Sequence, residues 1–505
     1  MNSEIFKTDK RIKLGIWGLG RGMAFYKICE ALNFDVKAGC DFNKHMREKF
    51  LKNNPSAFVT DNADDFLNSD IDAVLLATFC PAHGPDAVKC LQAGKHVLSE
   101  VTAFHTPAEG VKLVETVEKT GLIYNLSENY PFTKVNMYLK KHWKNGLFGD
   151  LMYAEYEYVH EVRSLSYTYI DNIPIQPGYS IHNWRSWLNY HYYNTHSLGP
   201  VMYITGERPT RVVALLSPIR LPGYPVKAPM GLGGVTPSLI SFANGGLMRN
   251  LMGGTSNDAH SQRIWGTKGA ADWNEKVYLR LGGAGYSPKL EITPDWPELG
   301  EYASTVGHGG GDFWTLYYFA RQILFGTPAP FEIYKACDCT LPGILAYRSA
   351  LENGKPYDVP NFRDKKQRAK YRSDNFAQQK VDTETHCFPT KTAREKSKDF
   401  TSVMKDLIRY SLDYAACKSW LAVTGEVAEP HKVVVMLDKL IESYPDMIKT
   451  VKKARKIADA SPKSEGARAI NELLAVADAT KSVRKSNLNE LMSARNELLK
   501  KIRRY

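Results

Sequence analysis

The chain has 505 residues, with 66 Lys and Arg against 54 Asp and Glu and a formal charge of +12. Its 43% hydrophobic and 24% charged residues are ordinary for a globular protein and exclude a fibrous or wholly disordered chain. No apolar run reaches the ~18 residues of a membrane span, and the polar stretch from Met1 to Arg11 lacks the apolar core of a secretory signal, so a cytoplasmic protein is expected.

The first ~130 residues alternate strand-like and helical runs. Lys13–Trp17 reads as a strand, followed by glycines and a helical stretch to about Leu32. Val36–Cys40, Ala73–Ala77, His96–Leu98 and Leu122–Tyr124 are further strands, with helices around 84–93 and 107–119. The alternation predicts a Rossmann-like doubly wound parallel sheet over 1–130.

From about 150 the pattern changes. Met152, Ala154, Tyr156, Tyr158 and His160 fall on one strand face by alternation. Strand candidates follow at 211–216, 237–243, 246–252 and 262–265, and a helix from Asp312, taken as its N-cap, to Phe325. This predicts an α+β domain over 131–362 with an open-faced, largely antiparallel sheet.

After 361 glycine nearly vanishes, and segments at 393–411, 431–441, 445–458, 466–482 and 486–503 have helical composition. Leu488, Leu491, Met492, Leu498, Leu499 and Ile502 lie on one stripe. The whole charge excess sits here. Residues 1–360 carry 35 basic and 35 acidic side chains, and residues 361–505 carry 31 and 19. A neutral body with a basic helical extension over 363–505 is expected. The extension has no interleaved aromatics or zinc module, so no nucleic-acid partner is expected. It reads as a solvated appendage that packs on the body or on a partner subunit.

The eight cysteines include no C-x-x-C pair and are too sparse for a disulfide scaffold, so reduced thiols are expected. No metal site is implied, because the histidines near 182–196 lack a ligand set.

Gly18-Leu19-Gly20-Arg21-Gly22 lies between the first strand and the first helix. A dinucleotide site needs glycines there because the backbone must turn tightly and approach a pyrophosphate. Asp41 closes the second strand, where a carboxylate accepts from a ribose 2′-hydroxyl and repels a 2′-phosphate, which favours NAD.

Thr78 to His83, and Ala93-Gly94-Lys95-His96-Val97-Leu98-Ser99-Glu100, resemble the fourth and fifth strand regions of the Gfo/Idh/MocA oxidoreductases. Gly266–Gly269 and Gly354–Pro360 resemble second-domain landmarks of that family. The resemblance implies a carbohydrate enzyme using NAD, a homo-oligomer, with Thr78, His83 and Glu100 lining the nicotinamide side of the cleft and Asn129 beside it. Most of the family has Glu-Lys-Pro where this chain has Glu100-Val101-Thr102, and a later Asp where it has Tyr192. Glu128-Asn129-Tyr130, Tyr193-Asn194-Thr195-His196-Ser197-Leu198-Gly199-Pro200 and Gly307–Asp312 are similar to the family's branch of NAD-dependent glycosidases.

Oxidising a secondary alcohol needs a base within hydrogen-bond reach of the hydroxyl. With valine in the lysine's place, His196 is the candidate, since histidine titrates near neutrality as a residue type. Tyr193 shares a face with His196 if the segment is helical. Either it or Tyr158 can donate to an oxyanion, or take a proton if its pKa is lowered. Glu128 is expected to hold ribose or substrate hydroxyls. Trp184 and Arg185 form either a sugar platform or interior packing, and His308 is either a site residue or part of a turn. Tyr158 also fits core packing. Three outcomes are open: hydride transfer at a sugar alcohol, a redox-neutral glycosidase that oxidises, eliminates, hydrates and reduces, or an inactive NAD-binding scaffold whose helices do the work.

Overall fold

The computed structural model describes the chain except residues 1–4, 162, 164–168, 171–172, 175–183, 218, 220, 224–233, 256–257, 259, 283–286, 379–392, 424–427, 477–484 and 503–505. The first sheet contains β1 (Ile12–Trp17), β2 (Phe34–Cys40), β3 (Phe58–Thr60), β4 (Ala73–Leu76), β5 (His96–Ser99) and β6 (Tyr124–Leu126). All pairings are parallel, in the order β3-β2-β1-β4-β5-β6. Ala73 to Leu76 are all buried, as a strand covered on both faces requires. The order reverses between β1 and β4, so a crevice opens at the carboxyl ends of those two strands.

The helical elements of this half are α1 (Tyr26–Cys29), α2 (Lys44–Asn53), α3 (Ala63–Leu67), α4 (His83–Gln92) and α5 (Pro107–Thr120). Thr106 and Glu109 cap α5 reciprocally, and Gly121 ends it in the left-handed region. The helical stretch to Leu32 is built from a 3₁₀ turn at Gly22–Phe25, the single turn α1, and a second 3₁₀ turn at Glu30–Leu32.

The second sheet has nine strands: β7 (Leu151–His160), β10 (Pro209–Ala214), β11 (Val235–Phe242), β12 (Leu247–Gly254), β13 (Gln262–Gly266), β14 (Gly269–Trp273), β15 (Val277–Leu281), β16 (Leu290–Ile292) and β17 (Tyr357–Asp358). A two-residue hairpin, β8 (Tyr169–Ile170) and β9 (Ile173–Pro174), stands apart. The order is β16-β15-β14-β13-β7-β12-β11-β10-β17. All pairings in the nine-stranded sheet are antiparallel except β7 with β12, which are parallel in register Leu247↔Tyr153 to Gly254↔His160. The sheet is therefore mixed at its centre, because a long excursion between these strands returns the chain in the same direction.

Helices α6 (Lys134–Lys144), α7 (Thr195–Thr205), α8 (Gly300–Ala303), α9 (Gly311–Phe325) and α10 (Ile333–Leu351) complete the body. Helix α9 starts at Gly311, one residue earlier than expected, with Gly310 as its cap in the left-handed region. Asp312 is not the cap, which frees its carboxylate for other partners. The short α11 (Lys365–Ala369) and the chain to Gln378 fold back on the body. Arg368 pairs with Glu118 at 2.7 Å and Arg348 with Asp374 at 2.7 Å.

The remaining helices, Ala393–Ala422, Pro430–Ala460, Glu465–Val476 and Lys485–Ile502, build a separate core around Leu407, Tyr414, Leu437, Tyr444 and Leu473. The long second helix runs through Pro445, where a break was expected. Its flanks Tyr444 and Met447 are buried in this core, so tertiary packing overrides the proline's preference. Leu491 and Leu498 of the expected stripe are buried, whereas Met492 is 45% exposed. Helix Glu465–Val476 meets the body at Gly223. The Gly223 amide donates to Glu472 Oε2 at 3.1 Å, and a Cβ there would lie 2.7 Å from Leu473.

Among the described residues no helix is long and apolar enough to cross a membrane. Seven described cysteines are free, and Cys387 lies outside the described residues.

Candidate active site

The glycine loop leaves β1 under tight constraint. Gly18 has φ +96°, and a Cβ there would sit 2.1 Å from the Ala77 carbonyl, so only glycine fits. Gly22 lies against Ile16 in the same way, while the space at Gly20 is open. Asp41 folds back on this loop. Its Oδ2 accepts from the Leu19 amide and its Oδ1 from the Asn43 amide, both at 2.8 Å. Burial raises its pKa, and the two amides work against that rise. The open Gly20 face, with Asp41 closing β2 beside it, fits a dinucleotide.

Arg21 crosses from this loop to the second domain. Its guanidinium makes a two-pronged contact with Asp312 of α9, at 2.9 and 2.6 Å, and pairs with Glu100 at 2.9 Å. Asp312 is fully buried and also accepts from Asn129 Nδ2 at 3.0 Å and meets His308 Nδ1 at 3.0 Å. Burial acts to raise the Asp312 pKa. The bonds from His308 and Arg21 outweigh it and hold this carboxyl well below the usual range. The Oδ1 of Asn129 is buried without a hydrogen-bond partner. His308 itself is 40% exposed and has φ +55°.

A cavity of about 210 Å³ lies between the two domains. Arg21, Thr78, Glu100, Asn129 and His308 line it together with Trp184, Arg185, Tyr193 and His196. Val101 and Cys80 also reach it. His83 lines it too, but both ring nitrogens face backbone carbonyls, Thr102 at 3.1 Å and Thr78 at 3.3 Å. Burial lowers the His83 pKa, so it is a neutral fixture of the wall. Thr78 donates to Asp86 at 2.7 Å.

His196 sits in the first turn of α7, and Tyr193 in the 3₁₀ turn Tyr190–Tyr193 just before it. Their rings meet edge to face at 4.6 Å, as the three-residue spacing predicts. Tyr158 of β7 lies 4.9 Å from His196 and 5.6 Å from Tyr193. The three rings belong to one cluster, although Tyr158 also packs on Tyr130 as a core residue does.

The Glu128 carboxylate is fully buried, accepts from His196 Nδ1 at 2.8 and 3.1 Å, and takes the Tyr130 amide at 3.2 Å. Its oxygens face the imidazole and the Tyr130 amide. The contact is possible because Gly199 of α7 lies against Glu128, where a Cβ would be 2.9 Å from Cγ.

Arg185 Nη2 donates to the Tyr193 hydroxyl at 3.2 Å, and its guanidinium stacks on Trp184 at 4.4 Å. That stacking covers one side of the expected sugar platform. Burial raises the pKa of both Tyr158 and Tyr193, and the Arg185 charge offsets this only in part. Both phenols are therefore protonated donors at neutral pH. Sequence reasoning missed the Arg21–Asp312 bridge and the Glu128–His196 pair. Their partners lie 291 and 68 residues apart, and no local spacing signals such contacts.

Comparison with known proteins gives two family matches, along with relatives and solved structures of similar fold. Residues 12–128 match the family model "Oxidoreductase family, NAD-binding Rossmann fold", and residues 261–369 match "Glycosyl hydrolase 109, C-terminal domain". A glycosyl hydrolase family 109 protein of Saccharopolyspora erythraea is 28% identical over 402 residues, covering 71% of this chain and 84% of its own. A glycosyl hydrolase family 109 protein of Shewanella pealeana is 25% identical over 397 residues, covering 70% and 85%. Among solved structures, a levoglucosan dehydrogenase in complex with NADH and L-sorbose shares the fold. Its TM-score is 0.58 at 19% identity, covering 70% of this chain and 100% of that one. An aldose-aldose oxidoreductase from Caulobacter crescentus gives 0.54 at 18%, covering 69% and 100%.

Proposed function

Because residues 12–128 match the NAD-binding Rossmann model of the Gfo/Idh/MocA oxidoreductases, we propose that the chain transfers hydride between NAD and a secondary alcohol carbon of a sugar or sugar derivative. NAD, held by the Gly18–Gly22 loop, Asp41, Thr78 and Glu100, supplies the hydride acceptor. The observation that carries the reading is the buried Glu128–His196 pair opening onto a cavity between the domains. With Nδ1 committed to Glu128, the other ring nitrogen is left to take the hydroxyl proton. Tyr193, kept protonated by its burial and oriented by Arg185, donates to the developing oxyanion. Val101 removes the usual lysine, so His196 carries the proton transfer alone.

A second reading has its own support in the family 109 match over 261–369. An oxidised C3 acidifies the C2 proton, and its removal expels the C1 substituent. Water then adds and the ketone is reduced, so a glycosidic bond is cleaved with no net redox change. Tyr158 is the second proton carrier in this cycle, since it touches His196. The inactive scaffold has less support, because His196, Glu128, Tyr193 and Tyr158 lie together in the arrangement that a base, its orienting carboxylate and oxyanion donors would need.

The test is incubation with a panel of sugars and aryl glycosides, with and without NAD. Stoichiometric NADH indicates the dehydrogenase, and cleavage without net NADH the glycosidase. Neither product in the presence of bound NAD rejects both readings.

The same reading divides the chain into an NAD-binding domain at 1–130, a substrate and oligomerisation domain at 131–362 and a helical extension at 363–505. Free thiols support a cytoplasmic setting. Exposed Met152, Leu239 and Leu247 on the large sheet support a homo-oligomer.

A further inference from the structure

We propose that His160, Asp258 and His260 form a binding site for a divalent transition ion of the Zn²⁺ class at the end of β7, beside Tyr158. The proposal departs from the sequence-based expectation of no metal, and it does not rest on the oxidoreductase reading.

One donor atom from each of the three residues lies within 4.8 Å of the others. A tetrahedral ion with bonds of about 2.0–2.2 Å needs donors roughly 3.3–3.6 Å apart, so small side-chain rotations close the site. The two imidazole centroids are 6.2 Å apart with planes at 51°, compatible with both rings pointing at one ion. Topology creates the cluster. Parallel pairing sets Gly254 opposite His160, and the chain leaving β12 returns Asp258 and His260 over the end of β7.

The donors are already oriented. His260 Nδ1 lies 3.4 Å from the Glu157 carbonyl, the arrangement that commits one ring nitrogen to the backbone and leaves the other for a metal. Asp258 Oδ1 contacts His160 Nδ1 and accepts from the Glu161 amide at 2.8 Å. Glu161 is fixed in turn by Arg163, which is 1% exposed and donates to the Pro222 carbonyl at 2.9 Å. Two imidazoles and one carboxylate suit Zn²⁺, Co²⁺ or Ni²⁺, whereas Ca²⁺ and Mg²⁺ prefer oxygen alone. Three protein donors leave a position for water or a ligand hydroxyl. His160 and Asp258 are 28% and 53% exposed, so an ion can enter. The Tyr158 ring lies 5.8 Å from His160 and 5.7 Å from His260, which places the ion next to the ring cluster.

The test uses untagged full-length protein, stripped with a chelator and titrated with Zn²⁺ by calorimetry and with Co²⁺ by visible absorption. The expected result is one ion per chain, with cobalt bands of a four- or five-coordinate site. His260→Gln and Asp258→Asn should each weaken binding at least tenfold, with NAD binding and the melting curve as in the parent. No binding at micromolar metal, or binding that persists undiminished in both variants, overturns the assignment.

Discussion

Glu128 Oε1 lies 2.8 Å from His196 Nδ1, and both side chains are almost completely buried. The pair fixes which imidazole nitrogen reaches the cavity. His196→Ala removes the proposed base and should lower kcat by about 10²–10⁴-fold. Glu128→Gln keeps the shape but replaces the acceptor, and should cost roughly 10–100-fold, as loss of an orienting partner does. Steady-state kinetics on whichever sugar the panel identifies checks both, and equal activity in all three proteins rejects the assignment.

Tyr158 separates the two readings. Tyr158→Phe should leave NADH formation within about threefold if alcohol oxidation is the whole reaction. In a redox-neutral glycosidase the same change should abolish cleavage, by about 10²-fold or more, while a single enzyme equivalent of NADH still forms. Single-turnover absorbance of NADH alongside glycoside release distinguishes them.

Asp312 ties folding to pH. Its pKa is depressed in the folded state, so its pairing stabilises the protein above the unfolded-state value near 4, and that contribution is lost as pH falls below it. Asp312→Asn should destabilise the body at neutral pH by up to about 3 kcal/mol, a figure reduced because Arg21 is 30% exposed. The variant should also show a flatter loss of stability in acid. Denaturant melts at pH 7 and pH 2.5 measure both effects, and parallel pH profiles for parent and variant contradict the argument.

Asp41 should set cofactor choice. Asp41→Ser removes the carboxylate proposed to meet a 2′-hydroxyl and repel a 2′-phosphate. NAD affinity should fall by about tenfold and the preference over NADP should shrink, as loss of a charge-assisted hydrogen bond predicts. Titration of both dinucleotides by fluorescence reads the ratio.

Gly223 is the seam between body and helical extension. With φ +94° and Leu473 where a Cβ would be, Gly223→Ala is strained by about 1–2 kcal/mol. Hydrogen exchange should accelerate in the peptides containing Arg163 and Gly223, with little change in the parallel sheet.

What sequence could reveal followed periodicity and local chemistry. Ala73–Leu76 is all apolar, and the glycine loop and Asp41 have fixed offsets, so the first sheet and its nucleotide crevice were readable. Helix α10 was not, because Pro342 and Gly343 interrupt its pattern. Gly343 is there for packing, since a Cβ would lie 2.3 Å from the His191 carbonyl. Helix α7 was hidden likewise by Gly199 and Pro200. The cavity walls were named residue by residue, but their pairings were not. Arg21 meets Asp312 only once α9 packs on the glycine-loop turn, and Asp258 meets His160 only once β12 has paired in parallel with β7.

Gln378 carries a consequence for how the molecule is made. Its side chain accepts from the Asn189 amide and donates to the Trp187 carbonyl, both at 2.6 Å, and its own amide donates to the Tyr192 hydroxyl at 2.9 Å. The turn that presents Trp184, Arg185 and Tyr193 is thus stitched by a residue synthesised almost two hundred positions later. A chain that ends ahead of residue 378 lacks all three bonds, so it would carry the glycine loop without the last fastening of this wall of the cavity.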